Sequence, residues 1–320
     1  MRISALLLML LTWCGCESPK REQPQTPSAL EKKMTPIPVF SGERAFRYLV
    51  RQTEFGPRNP NSKGHKACLD YLAQTLRGVA DEVQVQPFSA EGYAEVLALT
   101  NIIAKFNVSA KSRILLCAHW DTRPRADQDT TKSKRNDPII GANDGASGVA
   151  VLLEIAALLK QQAPPVGVDI VLFDGEDYGT EGDLTKYFLG SRYFAANKPA
   201  DYNPRFGILL DMVGDTFLEL RKEQHSVRFA PDIVDLVWRK ARELGYSQFV
   251  DELGEDINDD HLQLNTVGIK TIDLIDFDYP DPTNRYWHTH DDTPDKCSPA
   301  SLEAVGTVVT HIVYTQAPVP

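Results

Sequence analysis

The sequence predicts an α/β fold, a mostly parallel sheet carrying helices on both faces, and three observations lead there. Strand-type and helix-type runs alternate along the chain, the pattern that crossover connections between parallel strands produce. No Pro-rich or Ser-rich break interrupts the stretch from Phe40 to about Tyr314, which therefore reads as one domain. Three of the apolar strand runs end directly in Asp, Glu or His, at the carboxyl end of the strand where open sheets of this kind bind their ligands.

Taken in order, the first helical face falls over Ser62 to Leu76, with Ala67, Leu69, Tyr71, Leu72 and Leu76 on one side. Strands follow at Glu82 to Phe88, Asn101 to Phe106 and Arg113 to Ala118, the last almost wholly apolar, as a strand covered on both faces should be. Gly145 to Lys160 is a long apolar helix, and after Pro164 and Pro165 comes the strand Asp169 to Phe173. A strand at Phe206 to Asp211, a helix at Pro231 to Leu244, a strand at Lys270 to Ile275 and a helix at Pro299 to Tyr314 complete the alternation.

The 320 residues are 42% hydrophobic and 24% charged, values of a globular, enzyme-sized chain and not of a disordered one. Lys and Arg number 34 against 44 Asp and Glu, a net charge of −10, so no basic field exists to neutralise phosphates and nucleic acid is excluded as a partner.

The amino terminus is read apart from the fold. Ile3 to Trp13 is an apolar run behind Arg2, too short to cross a bilayer and of the length of an export signal, assigned to residues 1–15. Gly15 before Cys16 resembles the small residue preceding the lipidated cysteine of bacterial lipoproteins, which makes Cys16 the lipidation candidate. Trp13 stands where such signals carry Leu, so simple cleavage stays open. Residues 16–38 read as a polar, Pro-bearing tether, with docking through Met34, Ile37 and Val39 as the alternative, and residues 39–320 as the folded domain. An exported, periplasmic protein that meets a membrane only through its lipid is expected. Of the remaining cysteines, Cys117 lies in an apolar run and reads as buried, while a disulfide between Cys68 and Cys297 is left open.

The polar strand ends carry the chemistry. His119-Trp120-Asp121 follows one apolar run, Asp174-Gly175-Glu176-Asp177 the next, and Asp211 closes a third. Single carboxylates say little among 44; three neighbouring strand ends say more. Gly141 to Gly148 (GANDGASG) opens a helix and sets Asp144 in a glycine-flanked turn. It lacks the Lys of a phosphate loop, is not GxGxxG, and its central acid would repel phosphate, so a metal suits it better.

Together, His119-x-Asp121, the Asp144 loop, Phe173-Asp-Gly-Glu176-Asp177, Leu210-Asp211-Met-Val-Gly and Trp287-His288-Thr resemble the zinc aminopeptidase family and, within it, the glutaminyl-peptide cyclotransferases. The ordered motifs run from Phe55-Gly-Pro-Arg58 to Asp292. The resemblance implies a twisted, mixed sheet, and Asp144, Asp177 and His288 as ligands of one zinc ion, a set that leaves a tetrahedral position open for substrate. It implies Glu176 as general acid/base, Asp211 and Asp259 as carboxylates sharing hydrogen bonds with it, and Trp287 as a wall of the substrate pocket. His119 and Asp121 stand either as ligands of a second zinc or as unliganded neighbours. Asp177 occupies a position where the animal cyclotransferases have Glu, and the segment Asp276 to Tyr286 is longer than in those enzymes. His290 competes with His288, which Thr289 favours through the family's His-Thr pattern. His65, His225 and His311 read as structural or exposed, and His261 as a neighbour of the site.

Three functions remain. The first is cyclisation of amino-terminal Gln of peptides and exported proteins to pyroglutamate, the second di-zinc aminopeptidase hydrolysis, and the third a non-enzymatic binding module, since fold does not fix function. Retention of Glu176, Asp144 and His288 speaks against the last, and Trp287 favours the first.

Overall fold

A computed structural model describes residues 36–317, so the expected export signal, Cys16 and nearly all of the expected tether lie outside the described residues. Val39 is exposed and Phe40 is the first buried side chain, so of the three docking residues considered, Val39 does not dock. Helix α1, Gly42–Thr53, is capped by Ser41 and was not expected; α2, Lys63–Arg77, is capped by Ser62, whose hydroxyl accepts the N–H of His65 at 3.0 Å. The face of α2 is rotated from the expected one: Gly64, His65, Cys68, Leu72 and Leu76 are inside and Ala67 faces solvent.

Strands β1 (Glu82–Glu91) and β2 (Val96–Phe106) pair antiparallel, and β2 starts five residues before the apolar run that marked it. Then follow β3 (Arg113–His119), α3 (Ser147–Gln161), β4 (Gly167–Phe173), α4 (Leu189–Asn197) and β5 (Gly207–Asp211). After them come β6 (Leu220–Lys222), α5 (Gln224–Phe229), α6 (Pro231–Leu244), β7 (Phe249–Leu253), α7 (Asp260–Thr266), β8 (Thr271–Ile275) and α8 (Pro299–Thr315). The main sheet has the order β1-β2-β4-β3-β5-β8. Its β4, β3, β5 and β8 are mutually parallel and β2 is antiparallel to β4, which makes it a mixed sheet; β6 and β7 form a separate parallel pair.

Alternation along the central strands feeds two cores. Ile114, Leu116 and Ala118 of β3, with Ile170 and Leu172 of β4, face the helices α1, α3, α6 and α8; Leu115 and Cys117 point oppositely, to Phe194 of α4 and Leu264 of α7. The chain from β3 leads through α3 to β4 on one side of β3, and from β4 through α4 to β5 on the other. Successive crossovers thus part in opposite directions, and a crevice opens at the carboxyl ends of these strands. Cys68, Cys117 and Cys297 are all buried and free, so the disulfide between Cys68 and Cys297 is not formed.

Two glycines position the helix beneath the crevice. Gly145 adopts φ +101, a backbone that L side chains rarely reach, and its turn delays the start of α3 to Ser147. At Gly148 a Cβ would lie 2.1 Å from the carbonyl oxygen of Leu210, so only glycine lets α3 lie this close to β5.

Candidate metal centre

Each polar strand end contributes to one buried cluster. His119 ends β3, Glu176 and Asp177 follow β4, Asp211 ends β5, and Asp259 caps α7 ahead of β8; all are buried. Asp144 comes from the Gly loop, which is held from outside: Asp292 accepts the backbone N–H of Asn143 at 2.8 Å and of Asp144 at 3.2 Å. Tyr279 donates its hydroxyl to Asp292 at 2.9 Å. Buried Arg58 donates to the carbonyls of Trp120, Ile140 and Gly141, tying both ends of the long β3–α3 connection together.

His288 Nε2 lies 3.5 Å from Asp144 Oδ2 and 3.3 Å from Asp177 Oδ1, and donor atoms of the three residues fall within 4.8 Å of one another. Two carboxylates and an imidazole converging this closely are a donor set for zinc, and two of their atoms, Asp177 Oδ2 and His288 Nδ1, are buried without a hydrogen-bond partner. His119 Nε2 sits 3.2 Å from Asp144 Oδ1 and 3.1 Å from Asp211 Oδ1, a second convergent group that shares Asp144 with the first. A third, Asp259, His261 and Asp273, lies in the protein interior beneath the site.

The other expectations are placed as follows. Asp121 is in none of these groups: its carboxylate accepts the backbone N–H of Glu176 at 3.0 Å and of Asp177 at 3.3 Å, which shapes their turn and removes it as a ligand of a second ion. Among the described residues no hydrogen bond joins Glu176 to Asp211 or Asp259, contrary to the sharing expected. Asp211 faces His119, and Asp259 accepts the N–H of Asp260. His290 is held on Asp129 at 2.8 Å, away from the convergence of Asp144, Asp177 and His288. His65 is not exposed; it stacks on Trp120 and reaches Asp174 at 2.8 Å. Trp287 stacks on the His288 ring at 3.5 Å and packs edge-on to Phe277. It walls a cavity of about 330 Å³ whose floor holds Asp144, Glu176, Asp177 and His288.

Sequence reasoning missed Arg123, which bonds Asp177, and Asp127 and Tyr187, which bond Arg123 in turn. For Arg123 and Asp127 the available signal was their closeness to His119-x-Asp121, but nothing local says that a loop arginine turns inward.

The electrostatics follow from crowding. Burial, and then Asp177 and Asp259 working against His119, holds the Glu176 carboxyl well above its ordinary range. Asp259 is raised by burial, Asp211 and Asp260. Burial works against charge on His119, but Asp211, Asp121 and Asp144 outweigh it and hold its proton. Asp177 is the opposite case, since burial is overcome by His288 and Arg123 and it stays ionised.

A profile of Peptidase family M28 matches residues 101–313, and the chain belongs to this family. Over 88% of the chain and all of the other, the structure superposes with TM-score 0.84 at 44% identity on the Bacteroides thetaiotaomicron glutaminyl cyclase bound to N-acetylhistamine. A leucine aminopeptidase precursor of the same organism matches with TM-score 0.83 at 44% identity, over 88% of this chain and 99% of that one. The glutaminyl-peptide cyclotransferase of Bos taurus is 24% identical over 80% of this chain and 77% of its own length.

Asp273 offers a test of the crowding. It is fully buried on β8 with neither oxygen bonded, and burial, Asp259 and Asp211 raise its carboxyl well above the ordinary range. A folded pKa above the unfolded one gives stability that is complete below the unfolded value of about 4. That stability is lost as pH rises through the raised folded value. Asp273→Asn removes this titration, so the metal-free variant is expected to lose less stability than the parent as pH rises from about 5. Urea midpoints measured across pH check it; parallel curves for the two proteins would contradict the assignment.

Proposed function

We propose that the protein is a glutaminyl-peptide cyclotransferase, converting amino-terminal Gln of peptides and proteins to pyroglutamate with release of ammonia. The observation that carries this reading is the juxtaposition of Glu176, whose carboxyl is held well above its ordinary range, with the Asp144, Asp177 and His288 donor set under the Trp287 wall of one cavity. The solved relatives include glutaminyl cyclases at 44% and 41% identity, and curated relatives carry the cyclotransferase name.

Asp144, Asp177 and His288 would hold a zinc ion, which when bound polarises the γ-carbonyl of the Gln side chain as a Lewis acid. Trp287 and Phe277 line that cavity, leaving a narrow apolar flank for the methylenes of Gln. The substrate's own α-amine attacks the γ-carbon, so orientation within the cavity replaces a second reactant. Glu176 accepts the amine proton as the new C–N bond forms, and returns a proton to the departing amide nitrogen as the old C–N bond breaks, giving the lactam and ammonia. Its raised pKa suits both transfers near neutrality. Glu176 is not among the convergent metal donors, so Glu176→Gln is expected to keep its metal and lose ~10² to 10⁴ in turnover of a Gln-initiated peptide, scored by loss of ammonia. Parent-like turnover would remove Glu176 from the reaction, and removal of a whole residue from a Leu-initiated peptide would replace cyclisation by aminopeptidase activity.

The aminopeptidase reading keeps one supporting observation, the His119, Asp144 and Asp211 group, which offers a second ion site bridged by Asp144. We propose a single zinc, with His119 unliganded. His119→Ala is then expected to retain the parent's zinc content and Asp144→Ala to lose it, by elemental analysis. Two equivalents in the parent falling to one in His119→Ala would reverse the proposal.

Export and lipidation at Cys16, with residues 17–38 as a leash on the periplasmic side, belong to the same reading and rest on the amino-terminal pattern. Cys16→Ser is expected to abolish membrane association in cell fractionation; unchanged association would leave the lipid claim without support.

A further inference from the structure

We propose that Arg123 and Asp127 act as one positioning unit for the metal-holding side chains: Arg123 fixes the carboxylate of Asp177, and Asp127 orients the ring of His288. The inference rests on the zinc reading above and concerns residues to which that reading gives no role.

Arg123 lies in the loop after β3, with its side chain 1% exposed. Nε and Nη2 each lie 2.7 Å from an oxygen of Asp127, Nη2 also reaches the Tyr187 hydroxyl at 3.0 Å, and Nη1 reaches Asp177 Oδ1 at 2.5 Å and the Asp177 carbonyl at 3.4 Å. Those contacts occupy all five directed donors of a guanidinium, a geometry that the point charge of Lys cannot copy. Asp177 Oδ1, the oxygen that faces His288 Nε2 at 3.3 Å, is thereby fixed in place, while Oδ2 is buried without a hydrogen-bond partner.

The second half of the unit faces His288. Its Nε2 points to Asp144 and Asp177, and its Nδ1 is buried with no partner. The carboxylate facing Nδ1 is Asp127, whose Oδ1 stands 3.9 Å away. An imidazole that gives Nε2 to a metal carries its proton on Nδ1, and a carboxylate accepting that proton fixes both the tautomer and the ring plane. Asp127 is held for this by Arg123, so one guanidinium connects two of the three donor side chains from behind.

The test measures zinc affinity of the full chain by competition with a chelator, together with the visible spectrum of the cobalt(II)-substituted protein, for Arg123→Lys, Asp127→Ala, Asp127→Asn and the double variant Arg123→Lys/Asp127→Ala. Each of the first two single changes is expected to weaken zinc binding by about 10- to 100-fold, as loss of such outer partners does. The Asp127→Asn loss should be smaller than that of Asp127→Ala, because an amide oxygen in the carboxylate's place offers the Nδ1 proton an acceptor. The double variant should bind little worse than the weaker single, since residues acting as a unit are not additive. The cobalt spectrum of folded Asp127→Ala should shift, a change that loss of stability alone does not produce. Parent-like affinity and spectrum in Asp127→Ala, or fully additive losses, would overturn the proposal. Should Arg123→Lys fail to fold, the two Asp127 variants, altered at a quarter-exposed side chain, decide alone. A parent that takes up no zinc removes this inference together with the zinc reading, whereas a zinc-binding parent with unaffected variants removes the inference only.

Discussion

An ionised carboxylate taken out of water costs several kcal/mol unless it is paired or bonded, and the crevice of this protein buries Asp121, Asp144, Glu176, Asp177, Asp211, Asp259, Asp260 and Asp273 side by side. That many negative charges cannot be kept in one volume. Three different solutions divide them. Glu176, Asp259 and Asp273 are pushed well above the ordinary carboxylate range by burial and by each other, and Asp260 is pushed up to about 7. Asp177 stays charged because Arg123 and His288 sit against it. Asp121 accepts two backbone N–H groups, which makes it the brace of the Glu176 turn. What these devices leave is a negative opening between Asp144, Asp177 and His288, where a divalent cation removes the residual cost.

The same crowding explains the backbone around it. Met212, just after β5, and His288 both hold positive φ, +48 and +56, conformations that persist only where the surroundings fix them. His288 is fixed by Trp287 stacked on its ring and by the convergence of two carboxylates; Met212 packs in a cluster with Ile275 and Tyr279. Arg58 supplies rigidity from the opposite direction. Its burial lowers its pKa, yet it is bonded to three carbonyls of the loop that delivers Asp144. The loops are therefore as determined as the strands, which is a condition for holding ligands at fixed distances.

How far the chain itself announces this differs from element to element. The central strands β3, β4, β5 and β8 and the helices α6 and α8 were legible because apolar runs buried on both faces, or a helical stripe bounded by Pro, leave a strong local pattern. Short α4, α5 and α7 carry too few turns for a stripe, and the β6–β7 pair is only three and five residues long. At the site, residues at strand ends were legible since topology sends strand ends to one edge. Arg123 and Asp127 were not, because a loop's inward turn is decided by partners distant in sequence: Asp177 is 54 positions from Arg123. Asp259 was placed at the site, but the sharing expected with Glu176 is not formed: one oxygen caps α7 and the other has no hydrogen-bond partner.

The protein's two convergent donor groups share Asp144, and His119 decides how the second is used. Protonated, its imidazole lies between Asp211 and Asp144 and contributes one positive charge at the place where a second ion would contribute two. The two solutions exclude each other, since an imidazole that keeps both protons has no lone pair for a metal. Hydrolysis of a peptide bond needs a water molecule activated beside the carbonyl, and a second ion serves that need. Ring closure by the substrate's own amine needs none, and an activated water in the same cavity would divert Gln to Glu. A site that balances its charge with His119 in place of a second cation avoids that competing reaction. In the single-zinc reading proposed above, electrostatic balance and chemical selectivity rest on the same histidine.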